Sequence, residues 1–408
     1  MSEPVVISGM GIVSALGTSI ESALTRMDAG DRGITSTEVA GRRVPHAPVT
    51  DYDPGHYVAR KKVRRMDPAN TYAIAAAKMA LEHAGLADDA SLKENFGVIV
   101  GTGYSGFASV VEHQRAYLRD GIAQLTPIHF PNTVYNASAG MVAIELGLNG
   151  PNSTVTGLDV SGEFAIAYAW MLLQQGMAER VVVVGVDDLC PALLEGFHDL
   201  GFAARDCDTL SQPMGRARRG FIPGEGAGAL VLETESAAAR RSAVLHGRIE
   251  GIGIYSSADT VFSYSDSGTA VKRSVDAALA QAGRSLADIA WVSSAANGTA
   301  GLDSAEADTW AAMLDATRHA VLPFKRYTGE FSASGVLRVA LGLGCMARGR
   351  LPAGLGDDPV DAMTPYLGRE AAAAGRHFLH HGLGLGGNSV SIVVGAAGTA
   401  AAGAHHAH

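Results

Sequence analysis

The stretch that decides the fold is Arg219-Gly220-Phe221-Ile222-Pro223-Gly224-Glu225-Gly226-Ala227-Gly228, which runs directly into the apolar residues 229–232. Alternating glycines at Gly224, Gly226 and Gly228 belong where backbone passes close to backbone, or takes a positive φ, at the mouth of a sheet. Two further clusters share this character, Gly101-Thr-Gly103-Tyr-Ser-Gly106 and Gly382-Leu-Gly384-Leu-Gly386-Gly387. The first matches a dinucleotide fingerprint, being flanked by strand-like and helix-like sequence. Its acidic follower, Asp120, falls after a helix and not at the end of a second strand, so the cluster reads as a tight strand-to-helix turn. No Walker lysine follows any of the three, which argues against a phosphate cradle.

Outward from these clusters, strand-like apolar runs alternate with Ala-rich helical stretches. Strands are expected at 5–8, 96–100, 153–156, 181–186 and 229–232, and a second series at 247–254, 289–293, 321–324 and 389–394. Helices are expected at 71–83, 164–174, 270–282, 305–314 and 333–346. The alternation predicts an α/β protein of two similar halves, 1–242 and 243–395, each with a mixed sheet between helices. An Ala/Gly-rich tail, 396–408, ends His405-His406-Ala407-His408 and reads as a flexible end.

Composition narrows the function. With 47% hydrophobic and 18% charged residues among 408, the chain is neither disordered nor fibrous. A net charge of −9 gives no broad basic surface for nucleic acid. The one basic run, Arg60-Lys61-Lys62-Val63-Arg64-Arg65, reads as a solvated loop or as a patch for an acidic partner. No apolar run reaches the roughly 20 residues of a membrane helix, and the opening Met1-Ser2-Glu3-Pro4 leads straight into a strand. Three cysteines, Cys190, Cys207 and Cys345, lack metal or redox spacing, so a cytoplasmic protein without metal or cofactor is expected.

Taken together the motifs resemble the β-ketoacyl synthases that elongate chains on acyl carrier proteins. Val5-Val6-Ile7-Ser8-Gly9-Met10-Gly11-Ile12-Val13 is similar to that family's first strand and turn. Pro213-Met214 with Arg219–Gly228 is similar to its "PFD…RDGFV.GEGAG", and Leu383-Gly384-Leu385-Gly386-Gly387-Asn388 to its "FGFGGTN". The resemblance is collinear to about Gly395 and implies a thiolase-like fold layered α-β-α-β-α.

The family's chemistry requires a cysteine thiolate at a helix N-terminus and two histidines that stabilise an enolate on the extender thioester. All three positions differ here. The "TAC-x-S-G" motif reads Gly157-Leu158-Asp159-Val160-Ser161-Gly162, placing Asp159 at the nucleophile position. "NAHGT" followed by "D..AE" reads Ala295-Ala296-Asn297-Gly298-Thr299 with Asp303 and Glu306, so Asn297 replaces a histidine. "K…TGH" reads Lys325-Arg326-Tyr327-Thr328-Gly329-Glu330; Lys325 is retained and Glu330 replaces the second histidine. Losing even one oxyanion donor costs about 100–1,000-fold in rate. Asp159 also has a structural reading, as N-cap of the helix at 164–174. If the three groups meet, Lys325 is expected to neutralise both acids and plug the site.

The resemblance therefore points to the chain-length factor of type II polyketide synthases. That subunit is inactive by itself, pairs with an active ketosynthase, and bounds a polyketide or polyene chain held on an acyl carrier protein. Those subunits most often carry Gln where this chain has Asp159. Their tunnel is lined from the helix after "GGF", here Ser105-Gly106-Phe107, which implicates Phe107, Val110 and Gln114, with Leu385 near the family's gate position. Spacing alone also allows that stripe to be core. The alternative is a stand-alone enzyme using Asp159 and Glu330 as acid and base on a carrier-bound polyketide.

Overall fold

The computed structural model describes residues 3–87, 94–125, 127–205, 212–260, 263–264, 267–352, 358–367 and 376–397. The first half runs β1 (Val5–Val13), α1 (Ile20–Asp28), β2 (Thr35–Val39), β3 (Arg42–His46), α2 (Arg60–Val63), α3 (Pro68–His83), β4 (Phe96–Gly101), α4 (Phe107–Asp120), α5 (Ala137–Leu146), β5 (Asn152–Val155), α6 (Ser161–Gln174), β6 (Arg180–Asp187), α7 (Pro191–Asp199), β7 (Gly226–Thr234) and α8 (Glu235–Arg240). The second runs β8 (Gly247–Ser256), α9 (Ser267–Ala282), β9 (Trp291–Ser293), α10 (Ala300–Met313), β10 (Ala320–Leu322), α11 (Lys325–Thr328), α12 (Ser334–Arg348), β11 (His377–Leu383) and β12 (Asn388–Ala396).

Apart from β2 and β3, which pair with each other, the strands form one sheet in the order β10-β9-β11-β12-β8-β1-β7-β6-β4-β5, joined at its middle by a short antiparallel β1·β8 pairing. Numbered within its own half, each set of five has the same spatial order from its edge, third-second-fourth-fifth-first. The similarity of the halves is thus topological. Strand parity distributes the core: Val181 and Val183 of β6 pack with α6 and α12, while Val182, Val184 and Val186 pack with α3 and α5. The α6–α12 layer also meets β8, β9, β11 and β12 through Ile249, Trp291, Phe378 and Ile392. Helices α9 and α10 cover the outer face of the second half. The expected α-β-α-β-α layering results.

Sequence reading missed β11, because His377-Phe-Leu-His380-His381-Gly-Leu383 looks too polar for a strand buried along its whole length. It also missed the β2·β3 hairpin. The basic run, read as a loop or patch, begins as the short helix α2, with Lys61, Lys62, Arg64 and Arg65 exposed. No helix is long and apolar enough to cross a membrane among the described residues. Of the expected tail, 398–408 lie outside the described residues, as does Cys207.

Candidate functional site

Four connections bring the altered positions together. Asp159 lies in the 3-10 turn Leu158–Val160 ahead of α6, and Asn297 lies between β9 and α10. Lys325 opens α11, Glu330 follows it, and Leu385 sits in the β11–β12 hairpin. The Lys325 ammonium is 2.6 Å from Glu330 Oε2, and Asn297 Nδ2 donates to the same oxygen at 2.7 Å. Asn297 Oδ1 accepts from the Thr299 amide at 2.8 Å, which orients its carboxamide. All three of these side chains are buried. Glu330 is fixed by its own backbone as well, its N–H donating to Ile222 O and its carbonyl accepting from Gly224 N, each at 2.8 Å. This explains Gly224, where a Cβ would lie 2.4 Å from Thr328 O.

Asp159 Oδ2 accepts from the Leu385 amide at 3.2 Å. The expectation that Asp159 caps the helix is not met. Helix α6 begins at Ser161, its N-cap residue is Val160, and no side chain caps it. Leu158, at φ 51°, makes a left-handed turn that directs Asp159 into the site, and Ser161 Oγ closes the turn by donating to Leu158 O at 2.7 Å. Burial is the main cause that lifts the Asp159 carboxyl to about 6, reinforced by the Glu330 charge and only partly offset by Lys325 and the Leu385 amide. Neutralisation of both acids by Lys325 also needs correction. Among the described residues its ion pair is with Glu330, and Asp159 feels the ammonium at longer range.

The site thus holds two carboxylates against one ammonium. Asn297 commits one of its two amide N–H donors to Glu330. Cys190, the half-buried N-cap residue of α7, has its thiol pushed up by burial, and Cys345 in α12 is pushed up to about 12. No cluster of three or more His, Cys, Asp or Glu suits a metal ion among the described residues. Burial thus leaves Asp159 with a carboxyl raised to about 6, and Asp303, which accepts from the Asn297 amide at 3.0 Å, is raised to about 7.

Of the expected tunnel residues, Leu385 joins the site through its amide. Phe107 is half-buried at the start of α4, while Val110 (42% exposed) and Gln114 stand on the surface of the isolated chain. The expectation that this stripe could be core does not hold, because no residue of α4 is fully buried.

Sequence reading also missed the charged scaffold beneath the site. Glu163 of α6 pairs with Arg338 of α12 and lies 3.1 Å from His380 Nε2 of β11; all three are inaccessible to solvent. Burial opposes the Glu163 charge, but Arg338 and His380 bring its carboxyl down to about 2, while burial drives His380 to about 4. Beside it, Glu306 accepts from the Ala295 amide at 3.1 Å and lies 2.6 Å from His381 Nδ1. The available signal was a charge inside each apolar helix, Gly162-Glu163-Phe164 and Leu337-Arg338-Val339, since such charges need buried partners.

Comparison with known proteins agrees with this architecture. Residues 2–238 match the "Beta-ketoacyl synthase, N-terminal domain" family and 246–356 match "Beta-ketoacyl synthase, C-terminal domain". The 3-oxoacyl-[acyl-carrier-protein] synthase 2 of Vibrio cholerae is 30% identical over 74% of this chain and 75% of its own length. The ishigamide ketosynthase/chain length factor superposes with a TM-score of 0.88 at 24% identity, covering 98% of this chain and 100% of that one. A ketosynthase in complex with its chain length factor from Xenorhabdus doucetiae gives 0.81 at 20% identity, covering 97% and 98%. The chain belongs to the β-ketoacyl synthase family.

Proposed function

We propose that this member of the family is a non-condensing subunit, a chain-length factor, that pairs with an active ketosynthase and bounds the polyketide or polyene chain grown on an acyl carrier protein. The observation that carries the reading is the Asn297–Glu330–Lys325 knot facing Asp159. A carboxylate is a poor acyl acceptor from a thioester, and Glu330 places negative charge where an enolate would develop. The surface supports a partner. Val110, Tyr117 and Leu118 of α4, with Phe130, Val134, Tyr135 and Ile144 nearby in the chain, are exposed large apolar side chains. This concentration of exposed apolar side chains within residues 110–144 supports an interaction surface there. With a partner against it, the stripe of Phe107, Val110 and Gln114 would line an enclosed space between subunits, with Leu385 on the side of the degenerate site.

The test is co-expression with an intact ketosynthase from the same gene neighbourhood, followed by native mass and elongation assays. A one-to-one complex that extends malonyl units, with this chain inactive alone, supports the reading. A self-sufficient homodimer that ignores the ketosynthase removes it. The second reading, acid/base chemistry by Asp159 and Glu330 on a carrier-bound polyketide, is favoured by one observation, the carboxyl poised near pH 6. It requires turnover by this chain alone that is lost in Asp159→Asn.

A further inference from the structure

Helix α6 starts beside Asp159 and ends, about 20 Å further on at 1.5 Å per residue, at a cleft of about 290 Å³ lined by Trp170 and Gln174. The cleft is built by both halves, over the pairing that joins them. Val5 pairs with Ile249 and Val6 with Arg248. Val5, Arg248, Ile249 and Glu250 line the cleft, with Gln281 near the end of α9 and Arg284 just beyond it. A space of this size suits a small metabolite.

Acceptors in this cleft are largely spent, and donors are not. Glu3 Oε1 accepts from the Ser236 amide at 2.7 Å, and Gln281 Oε1 accepts from the Ile252 amide at 2.6 Å. Glu250 accepts from Arg284 Nε at 3.0 Å and Nη2 at 3.4 Å, and His377 Nε2 stands 3.3 Å from it. Arg248 pairs through Nη2 with Glu235. Among the described residues nothing accepts from Arg248 Nε or Nη1, Arg284 Nη1 or Gln281 Nε2. The side chains of Arg248 and Arg284 are 25% and 38% exposed, so both guanidiniums are open to solvent. Formal charges balance, Arg248 and Arg284 against Glu3 and Glu250, so the free N–H groups and not a net field select the ligand. Guanidinium N–H groups in surplus match the oxygens of a carboxylate or phosphate.

We propose that this cleft binds a small organic oxyanion, a carboxylate or a phosphate monoester, with its oxygens on Arg248 and Arg284 and its carbon part against Trp170. Such a ligand bridges the first half, through Trp170, and the second, through the two arginines, where only three residue pairs join β1 to β8. Binding there stabilises the junction, because a ligand held by the folded chain alone shifts the folding equilibrium. The site is separate from the degenerate one at the other end of α6, and it does not depend on pairing with a ketosynthase.

The experiment uses the full chain and its tryptophan emission. Trp291 and Trp310 are buried in the core, so Trp170 is the tryptophan that a ligand in this cleft touches. Succinate, glycerol 3-phosphate and inorganic phosphate are titrated, with sodium chloride at matched ionic strength as the reference. The expected result is a saturable emission change at about 1 mM or tighter, with a rise in melting temperature. The emission change is absent in Trp170→Phe, and binding weakens by about 10-fold or more in Arg248→Gln and in Arg284→Gln. Succinate against glycerol 3-phosphate tells a carboxylate ligand from a phosphate ester. Arg284 lies on the surface beyond α9, so Arg284→Gln decides the matter even where Arg248→Gln, which also releases Glu235, disturbs the fold. Binding that survives Arg284→Gln in a protein of parental melting temperature overturns the proposal. So does a response that chloride reproduces, or the lack of a response to all three probes.

Discussion

The ammonium of Lys325 lies 2.6 Å from Glu330 Oε2, inside a site where both side chains are almost fully buried. That pair leaves Asp159, whose carboxyl burial raises to about 6, without an ion-pair partner among the described residues.

Asp159 should therefore weaken the fold as pH rises. Its folded-state carboxyl titrates near 6, above the ordinary value of 3.8, so the folded state binds the proton more tightly between about pH 4 and 6. Stability contributed by the neutral form is present below that window and is lost as pH climbs through 6. Asp159→Asn is expected to raise stability at pH 7.5 by about 2–3 kcal/mol. Its advantage over the parent should shrink toward zero by pH 4, read from denaturant melts across that range. An advantage independent of pH would refute the assignment.

Lys325→Met strands the Glu330 carboxylate in a buried site and should cost about 3–5 kcal/mol. Combining it with Glu330→Gln removes the stranded charge and should recover most of that loss. Chemical denaturation of the four proteins of the cycle measures the coupling; additive losses would mean the pair contributes nothing.

Asp159→Cys places a thiol at the position that the resemblance aligns with the family's nucleophile. With Glu330 facing it the thiolate is disfavoured, so alkylation at pH 7.5 should run at least about 10-fold slower than in Asp159→Cys/Glu330→Gln. Equal rates would show that Glu330 does not govern the charge of the site.

Leu118 is 73% exposed on α4. Leu118→Glu should leave the melting temperature of the isolated chain unchanged while weakening ketosynthase association by about 10-fold or more, because a charge in a desolvated interface lacks a partner. Sedimentation of the mixed subunits reads this out. Unchanged association would place the interface elsewhere.

Several features were determined by sequence alone. Glycine spacing and apolar runs located most strands next to the site, though not β11, because backbone contact tolerates no Cβ at Gly224 and buried strands mostly carry continuous apolar residues. The motifs likewise supplied the expectation that Asp159, Asn297 and Glu330 stand where the resemblance implies Cys, His and His. Tertiary structure decided the rest. Which partner Lys325 takes, and that Leu158 turns Asp159 away from capping, depend on loops from both halves meeting. The strand β11 escaped notice because its histidines are polar only until Glu163, Arg338 and Glu306, from helices far off in sequence, surround them. Residue type sets what a side chain can do, but burial and long-range neighbours set its charge, and those exist only once the layers pack.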